Sequence, residues 1–211
     1  MKMRLLFAAV LTAVLLTGCT PADTPTAVTG AIETSAGQSA AMPETTEQPL
    51  PDAGACMAVS SSGITDGVID PEYGNKGICE KRVPVVSLPL DITGAPEGTV
   101  CFAVYMDDED SLPLCGYRWV HWMGVNITQM SLPPDFSRLT DNAVQGTNDY
   151  GTVGYAGPAP PDKSHTYVIK VYALNAELKL SQGFSKGEFE KAIEGHVLET
   201  AVLEGLYRKQ I

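Results

Sequence analysis

Short apolar segments bounded by proline, glycine or acidic residues recur through the second half of the chain. They predict strands at 83–90, 100–106, 117–127 and 165–174, because all four are rich in valine, isoleucine and aromatic residues. Several short strands with turns between them are typical of an all-β sandwich rather than of alternating βαβ units. The pattern therefore predicts a fold dominated by β-strands.

The hydrophobic period changes near the C-terminus, and the change predicts two short helices. Ser185 and Glu188 have the spacing of a capping box, in which each side chain bonds to the backbone N–H of the other residue. A helical pattern follows until Gly195 interrupts it, and it resumes over 196–204. Residues 206–208 are predicted to form a last strand.

The N-terminus has the pattern of a secretion signal. Two basic residues precede an apolar run over 5–16, which is too short to span a bilayer as a helix. The residues Leu16-Thr17-Gly18-Cys19 are similar to the lipobox of bacterial lipoproteins, which implies cleavage before Cys19 and its acylation. We therefore predict a lipoprotein signal peptide at 1–18, and the alternative is an ordinary signal peptide cleaved nearby. Both interpretations place the mature chain outside the cytoplasm.

A disordered tether is predicted to follow the lipidated cysteine, over residues 19–55. From residue 20 onward the segment has no aromatic residue, lysine or arginine, so it cannot bury enough apolar area to offset the entropy of ordering. A flexible coil of this length reaches on the order of 30 Å. Residues 56–211 then form one domain of ordinary size, held at the extracytoplasmic face of the cell membrane.

The charge of the chain excludes one class of partner. Asp and Glu number 25 against 14 Lys and Arg, and the formal net charge is -11. Such a surface repels phosphate backbones, and the sequence has no cluster of basic residues to offset it, so we predict no nucleic-acid partner. The same repulsion opposes docking on anionic lipid, and attachment to the membrane would depend on the anchor alone.

Four cysteines remain besides Cys19, namely Cys56, Cys79, Cys101 and Cys115. An even number in an oxidising compartment predicts two disulfides, for which three pairings exist. We favour Cys101 with Cys115, because the first opens a predicted strand and the second lies in the loop after it, and this choice leaves Cys56 with Cys79. The cysteines have no zinc-type spacing, so no metal site and no cofactor are predicted.

Histidines occupy two of the predicted strands. Alternation along 117–127 places His121 on one face with Trp119 and Met123. His165 begins the fourth predicted strand. A core histidine that is satisfied by a backbone carbonyl is the alternative interpretation of each.

Two other segments adjoin these strands. The acidic run 107–110 follows the strand at 100–106, and such a run is most often a solvated turn. Residues 146–164 include four glycines and three prolines, which make a loop that is bent but stiff, and this loop leads directly into His165. A stiff loop beside a strand forms a pocket wall.

The order of these features resembles the phosphatidylethanolamine-binding protein family, specifically its bacterial branch of Raf kinase inhibitor-like proteins. The resemblance covers most of residues 83–211. In the family's first motif, two aspartates flank a proline, and Asp108 and Asp110 fall on the two aspartates while Glu109 replaces the proline. This departure from the pattern lies at the expected mouth of the pocket.

Further segments fit the same family in the same order. His121-Trp122 fits its histidine-tryptophan strand, and 146–167 fits a segment that ends in histidine, any residue, tyrosine. Residues 196–198 and 205–208 are similar to its C-terminal helix and strand. The resemblance implies a phosphatidylethanolamine-binding-protein-like β-sandwich with two short C-terminal helices.

The resemblance also implies a small anion-accepting pocket. Its expected lining residues are Asp108, Asp110, His121, Gly157, Pro158, His165 and Tyr167. A nearby carboxylate favours the charged form of an imidazole, so the histidines could donate to phosphate oxygens, and inward N–H groups of the glycine-rich loop would add partial positive charge. Such a site suits a zwitterion, with phosphate against His121 and His165 and ammonium against Asp108. We expect phosphoethanolamine-like headgroups or other phosphorylated small molecules as ligands.

Two other classes of function are alternatives. A carboxylate with two histidines could bind a metal or act as acid and base, but the sequence has no HExxH motif, and Ser164 would point away from its neighbour His165 in a strand. We therefore predict a binding protein with no catalytic residue. Relatives within the family inhibit kinases or serine proteases, and outside the cytoplasm the corresponding alternative is a module that inhibits an envelope or secreted protease.

Overall fold

The computed structural model describes residues 56–209. The predicted signal peptide at 1–18 and the predicted tether at 19–55, with its lipidation site Cys19, lie outside the described residues. The elements below therefore belong to the third predicted segment, the domain that begins at residue 56.

Twelve strands and three α-helices form within residues 56–209. The strands are β1 (Ala58–Ser60), β2 (Ile64–Thr65), β3 (Val68–Ile69), β4 (Cys79–Glu80), β5 (Val83–Pro84), β6 (Leu90–Thr93), β7 (Cys101–Asp108), β8 (Trp119–Ile127), β9 (Ser131–Leu132), β10 (Val144–Gln145), β11 (His165–Leu174) and β12 (Val197–Tyr207). The helices are α1 (Leu112–Cys115), α2 (Phe136–Leu139) and α3 (Lys186–Ile193), with 3-10 turns at Pro71–Tyr73 and Glu109–Ser111.

Two sheets pack face to face and make the sandwich. The larger has seven strands in the order β10-β8-β7-β11-β12-β3-β2, the smaller has the order β1-β6-β9, and β4 pairs with β5 alone. The core between the two sheets joins Val59, Ile92 and Leu132 of the small sheet to Val104 and Trp122 of the large one. The fold dominated by β-strands that the sequence predicts is confirmed.

The other face of the large sheet is also covered. Tyr105 and Met123 pack there against Phe184 and Phe189, and the rings of Tyr105 and Phe189 stack with centroids 5.6 Å apart. Alternate residues of β7 therefore meet apolar partners on both sides. All eight residues of β7 are buried, and the strand carries the two aspartates at its end into the interior.

The first of the two predicted C-terminal helices is present and the second is not. Ser185 and Glu188 make both hydrogen bonds of a capping box and start α3. The predicted helix at 196–204 is wrong, because this segment forms β12, which pairs antiparallel with β11 from His165 to Leu174. Tertiary pairing with a long neighbouring strand outweighs the weak helical period here, and the predicted strand at 206–208 overlaps the end of the same strand.

Three of the four strands first predicted are found, as β7, β8 and β11. The prediction of one strand over 83–90 is wrong. Val83 and Pro84 form the short β5, and Leu90 starts β6. Pro84 and Pro89 have no N–H to donate to a ladder, and the chain between them is not a strand, although its Leu88 is buried.

The predicted disulfides are absent from the structure. Cys56, Cys79, Cys101 and Cys115 are free thiols. Cys101 starts β7, whereas Cys115 ends α1 beyond the far end of that strand, and a strand of eight residues is about 23 Å long. A disulfide requires Cα atoms within about 7 Å, so this pairing is wrong on distance alone. The Sγ atom of Cys101 instead contacts the carbonyl oxygen of Ala176 at 3.4 Å.

Alkylation of the native protein without reductant is expected to label three of these cysteines and spare one. Cys56, Cys79 and Cys115 are exposed, whereas Cys101 is 1% exposed. Peptide mass spectrometry would show Cys101 labelled only after unfolding, and this residue serves as the internal control. Two disulfides would instead leave all four thiols unlabelled until a reductant is added.

Candidate ligand-binding site

A cavity of about 270 Å³ opens at one end of the large sheet. Because β7 runs antiparallel to both β8 and β11, its C-terminal end lies between the N-terminal ends of those two strands. Asp108 pairs there with Trp119 on one side and with Tyr167 on the other. The lining residues are Asp108, Ser111, Leu114, Cys115, Trp119, His121, Tyr150, Ala159, Pro161, His165 and Tyr167.

Four of the seven predicted site residues line this cavity, namely Asp108, His121, His165 and Tyr167. Sequence reasoning placed the first of them in an acidic turn, which the structure corrects. Asp108 is the last residue of β7 and only 5% exposed. The buried strand, rather than a solvated turn, fixes the position of its carboxylate.

Asp110 does not line the cavity. It lies in the 3-10 turn after β7, where its carboxylate forms an ion pair with Lys163 and accepts a hydrogen bond from the backbone N–H of Thr166 at 2.8 Å. These contacts lower the pKa of Asp110, chiefly through the hydrogen bond from Lys163. The residue ties the end of β7 to the start of β11, and the structure assigns it a positioning role.

Gly157 and Pro158 are not among the residues that line the cavity, although the backbone of Gly157 interacts with His121. The N–H of Gly157 donates to the carbonyl oxygen of Pro84 at 2.9 Å, and the carbonyl oxygen of Pro158 accepts from the N–H of Asn75 at 2.9 Å. The predicted placement of these two residues in the lining is therefore corrected. They hold the loop at 146–164 against the N-terminal part of the domain.

A β-bulge aims His121 at the cavity. Met106 pairs with Trp122, but the next residue of β7 pairs with Val120, so His121 is skipped in the ladder. His121 and Trp122 consequently face the same side of the sheet, and Met123 packs on the other. The predicted alternation, with His121 and Met123 on one face, is wrong, since a bulge shifts the phase of every later side chain.

His121 is neutral in this environment. Its Nδ1 lies 2.5 Å from the carbonyl oxygen of Ala156, and because a carbonyl oxygen only accepts, Nδ1 carries the proton and donates. Burial lowers the pKa of His121 below its ordinary value, despite this hydrogen bond. The neutral ring leaves Nε2 as an acceptor, so the resting side chain presents no free N–H to an anion.

His165 is held between two carboxylates. Its Nδ1 lies 2.7 Å from Asp108 Oδ2, and its Nε2 lies 2.7 Å from Asp162 Oδ1. Burial alone would lower the pKa of His165, but the hydrogen bonds to both aspartates outweigh burial and raise it. The ring is thus favoured as a cation with both N–H groups occupied. The expected free N–H of His165 for a phosphate is not present in this arrangement.

Asp162 is a functional candidate that sequence reasoning missed. It lies three residues before His165 in the glycine- and proline-rich loop, and its side chain is 44% exposed. Its hydrogen bond to His165 lowers the pKa of the Asp162 carboxyl. Outside a helix, a spacing of three residues does not predict a contact, so only the folded loop reveals this partner.

Two buried polar atoms of the cavity wall have no hydrogen-bond partner in the described structure. One is Asp108 Oδ1, an acceptor, and the other is Trp119 Nε1, whose N–H is a donor. An unpaired buried polar group costs about 1 to 3 kcal/mol, and such exceptions call for an explanation. Sequence reasoning treated Trp119 only as an apolar neighbour of His121.

Aromatic rings form a continuous wall beside these atoms. The ring of Trp119 stacks on Tyr117 with centroids 5.9 Å apart and meets the edge of Tyr150 at 5.5 Å. His121 lies 5.8 Å from Tyr150 and 5.0 Å from Tyr167. Burial raises the pKa of both Tyr150 and Tyr167, so their hydroxyls remain protonated. The cavity wall therefore combines aromatic rings with the carboxylate of Asp108.

A buried polar network anchors the loop at 146–164. The side-chain oxygen of Gln145 accepts from Trp122 Nε1 at 3.0 Å and from the hydroxyl of Ser137 at 2.6 Å. Ser137 Oγ in turn accepts from the backbone N–H of Tyr155 at 2.8 Å, and the amide of Gln145 donates to the carbonyl of Ser137. The side chain of Gln145 thus connects β8 to α2 and, through Ser137, to the loop whose Ala156 bonds to His121.

The segment Gly183-Phe184-Ser185-Lys186-Gly187 matches the GxSxG pattern of hydrolase nucleophile elbows. The structure gives its serine another role. Ser185 Oγ accepts from the backbone N–H of Glu188 at 3.3 Å and donates to its carboxylate at 2.7 Å. The residue has an ordinary extended backbone, and it caps α3 rather than presenting a nucleophile.

Two other kinds of feature are missing from residues 56–209. No group of three or more His, Cys, Asp or Glu there is arranged to hold a metal ion. In the same range, no helix has the length and apolar character needed to cross a bilayer.

Comparison with known proteins gives consistent matches over this domain. The sequence profile described as phosphatidylethanolamine-binding protein matches residues 59–208. The UPF0098 protein of Methanothermobacter thermautotrophicus is 43% identical over 129 residues, which cover 59% of this chain and 83% of that protein. The uncharacterised protein YxkA of Bacillus subtilis is 35% identical over 151 residues, which cover 65% of this chain and 90% of its own.

Solved structures of proteins from two other organisms also match this chain. Escherichia coli YbcL, described as a new member of the mammalian phosphatidylethanolamine-binding protein family, matches with a TM-score of 0.65 and 32% identity, over 74% of this chain and 100% of its own. A putative homologue from Chlamydia trachomatis matches with a TM-score of 0.65 and 29% identity, over 74% of this chain and 99% of its own.

Proposed function

This chain belongs to the phosphatidylethanolamine-binding protein family, and we propose that it binds small zwitterionic or phosphorylated ligands that resemble lipid headgroups. The main support is the pair of unpartnered atoms in one cavity wall, the acceptor Asp108 Oδ1 and the donor Trp119 Nε1. A zwitterion supplies the complement of each, an ammonium for the carboxylate and an acidic oxygen for the indole N–H. A ligand with only one of these groups would leave the other atom unpaired.

The phosphate of such a ligand would be held by groups that are neutral in the free protein. Trp119 Nε1 donates to one oxygen. His121 becomes a second donor when an anion beside Nε2 favours its protonated form, so binding of phosphate is coupled to the uptake of a proton. The ammonium faces Asp108, which is the cross-strand neighbour of Trp119 in the same wall.

Replacing His121 with alanine is expected to weaken binding of phosphoethanolamine by about tenfold or more, because a hydrogen bond to a charged group contributes about 1.5 to 3 kcal/mol. His196→Ala is the matched control. His196 bonds to Asn175 Oδ1 at 2.9 Å and does not line the cavity. Isothermal titration calorimetry measures both variants, and circular dichroism verifies that each is folded. Equal losses in the two variants would contradict the assigned site.

A titration of the unmodified domain tests the proposal as a whole. Phosphoethanolamine is expected to release or absorb heat and to shift the imidazole NMR signals of His121 and His165, with little change at His196. No heat and no shift at either cavity histidine would exclude this class of ligand.

We propose binding rather than turnover. Both ring nitrogens of His165 are engaged by aspartates, which leaves no free imidazole pair around a nucleophile, and Ser185 is committed to capping α3. An esterase and phosphatase screen, together with metal analysis of protein purified without chelator, tests this. Hydrolysis that His121→Ala abolishes would reverse the proposal.

We further propose that the protein is an extracytoplasmic lipoprotein of the bacterial Raf kinase inhibitor-like branch, anchored through Cys19. The support is the lipobox-like Leu16-Thr17-Gly18-Cys19 after a short apolar run. Metabolic labelling with a palmitate analogue is expected to mark the full chain, and Cys19→Ser is expected to abolish the label and the membrane association together. A labelled Cys19→Ser variant would exclude this anchor.

A second candidate function is inhibition of an envelope or secreted protease. The segment beside the cavity favours a protein partner, since Leu112, Leu114 and Tyr117 are 52%, 53% and 45% exposed, and such apolar groups mark interaction surfaces when they cluster. A pull-down from envelope extract, with His121→Ala as the comparison, shows whether a protease binds and whether it uses the cavity.

A further inference from the structure

The groups in contact with His165 carry more negative than positive charge, and one of them, Asp108, lines the cavity. Asp108 and Asp162 are both in contact with the single imidazolium of His165, while His121 is neutral. None of the described lining residues is lysine or arginine. Of the nearby cations, Lys163 pairs with Asp110 and Arg118 with Glu109, while Lys209 Nζ donates to the backbone carbonyl oxygen of Asp162 at 2.6 Å. None of the three lines the cavity.

Asp162 occupies the position that an anionic ligand would take at His165. Its Oδ1 accepts from Nε2 at 2.7 Å, which is the geometry of a charge-assisted hydrogen bond to a phosphate or carboxylate oxygen. The imidazole side chain is 1% exposed and the aspartate side chain 44%. The aspartate therefore covers the buried ring from the solvent side, and a ligand anion would have to displace it.

The part of the wall at Asp108, on the Nδ1 side of His165, suits a cation. Asp108 Oδ1 is a buried carboxylate oxygen without a partner, and the rings of Trp119, Tyr150 and Tyr167 stand beside it on the wall. Aromatic faces attract ammonium groups, and several rings around one position form the cages that recognise organic ammonium ligands. The carboxylate of Asp108 and the aromatic rings would therefore attract the same ammonium group.

We propose that Asp162 is a specificity-determining residue, which fills the anion position at His165 and so makes this cavity select an organic ammonium group over a phosphate group. The inference rests on the proposed binding function and specifies it. An ammonium ligand without phosphate binds on its own, against Asp108 and the aromatic wall. In a zwitterion the ammonium supplies the larger part of the affinity.

Three small probes separate the contributions in the unmodified protein. Ethanolammonium, inorganic phosphate and the neutral ethylene glycol are titrated separately, with NMR shifts of the tryptophan and histidine signals as the readout. Ethanolammonium is expected to bind at least about tenfold more tightly than either of the others, in keeping with a desolvated cation–π contact plus an ion pair. Phosphate that binds as tightly as ethanolammonium overturns the inference.

Substitution of Asp162 tests the assigned residue. Asp162→Ala frees Nε2 of His165, and phosphate is expected to bind about tenfold more tightly, while ethanolammonium binds more weakly because a negative charge is lost. Asp162→Asn removes the charge but keeps a neutral acceptor beside Nε2, so a smaller change in the same direction is expected, and this variant serves if the alanine variant is unstable. Asp141→Ala is the control, since Asp141 is an exposed acid away from the cavity.

The outcomes distinguish this inference from the proposed function. Equal phosphate affinity in the Asp162 variants and in Asp141→Ala overturns the role of Asp162. Phosphoethanolamine binding that depends on phosphate and not on ammonium overturns the selectivity and leaves the proposed function in place. If neither phosphoethanolamine nor any of the three probes binds, both fail together.

Discussion

Gly157→Ala is expected to lower the free energy of unfolding by about 3 kcal/mol, which corresponds to a fall of roughly 6 to 12 °C in Tm for a domain of this size. A Cβ at this position would lie closer to the backbone carbonyl oxygen of Tyr73 than real Cβ atoms come to any atom, and 2.9 Å from Cβ of Pro84. The backbone segments on both sides would have to separate. Since the neighbouring Ala156 holds Nδ1 of His121, ligand affinity is expected to fall as well.

Thermal and urea unfolding followed by circular dichroism measure this loss, and Gly187→Ala is the matched control. Gly187 lies in α3, and a Cβ there has nothing within 4 Å. Alanine is the better helix former by about 1 kcal/mol, so the control is expected to be neutral or more stable. A Gly157→Ala protein as stable as the control would show that the loop is not wedged against Tyr73 and Pro84.

Gln145→Ala is expected to lower the free energy of unfolding by about 3 kcal/mol and to loosen the loop at 146–164 beside the cavity. The change would leave Trp122 Nε1 and the Ser137 hydroxyl, both inside the protein, without their shared acceptor. Ser137 Oγ also accepts a hydrogen bond from the backbone N–H of Tyr155, so the loss of stability extends to the loop. Hydrogen exchange of the Tyr155 and Ala156 amides is expected to accelerate in this variant.

Gln182→Ala provides the comparison for this residue type. Gln182 is exposed, and its side chain accepts one hydrogen bond, from the backbone N–H of Gln145 at 2.9 Å. Its loss is expected to cost less than about 1 kcal/mol, since water can replace the partner. If the two variants unfolded at the same urea concentration, the network around Gln145 would contribute nothing beyond an ordinary surface contact.

The central strands were predictable because tertiary contacts reinforce their local pattern. The segments that became β7, β8 and β11 are rich in β-branched and aromatic residues and are buried on both faces, and these properties are visible in sequence. The segment 197–207 is different. It follows Gly195 and has a partial helical period. The segment nevertheless forms a strand because it pairs with β11, and no local property of the sequence indicates that pairing.

Most residues of the site were predictable from the sequence, whereas their hydrogen bonding and charge states were not. Resemblance to a family indicated Asp108, His121, His165 and Tyr167, which the fold brings to one cavity. The bulge at His121 depends on the register between β7 and β8. Hydrogen bonding of His165 on both nitrogens depends on the path of a loop, and neither register nor path is encoded in a short window of residues. The charge state of each histidine therefore required the structure.

The contact of His165 with Asp108 joins residues 57 positions apart, and the strand that carries His165 pairs with β12, which follows it in the sequence. A chain emerging from the ribosome has Asp108 well before it has either of those strands. Contacts of such long separation form late, because loop closure must come first. The cavity thus cannot form until the polypeptide has been delivered beyond β12. Ligand occupancy would consequently report completed folding of this domain and could not precede it.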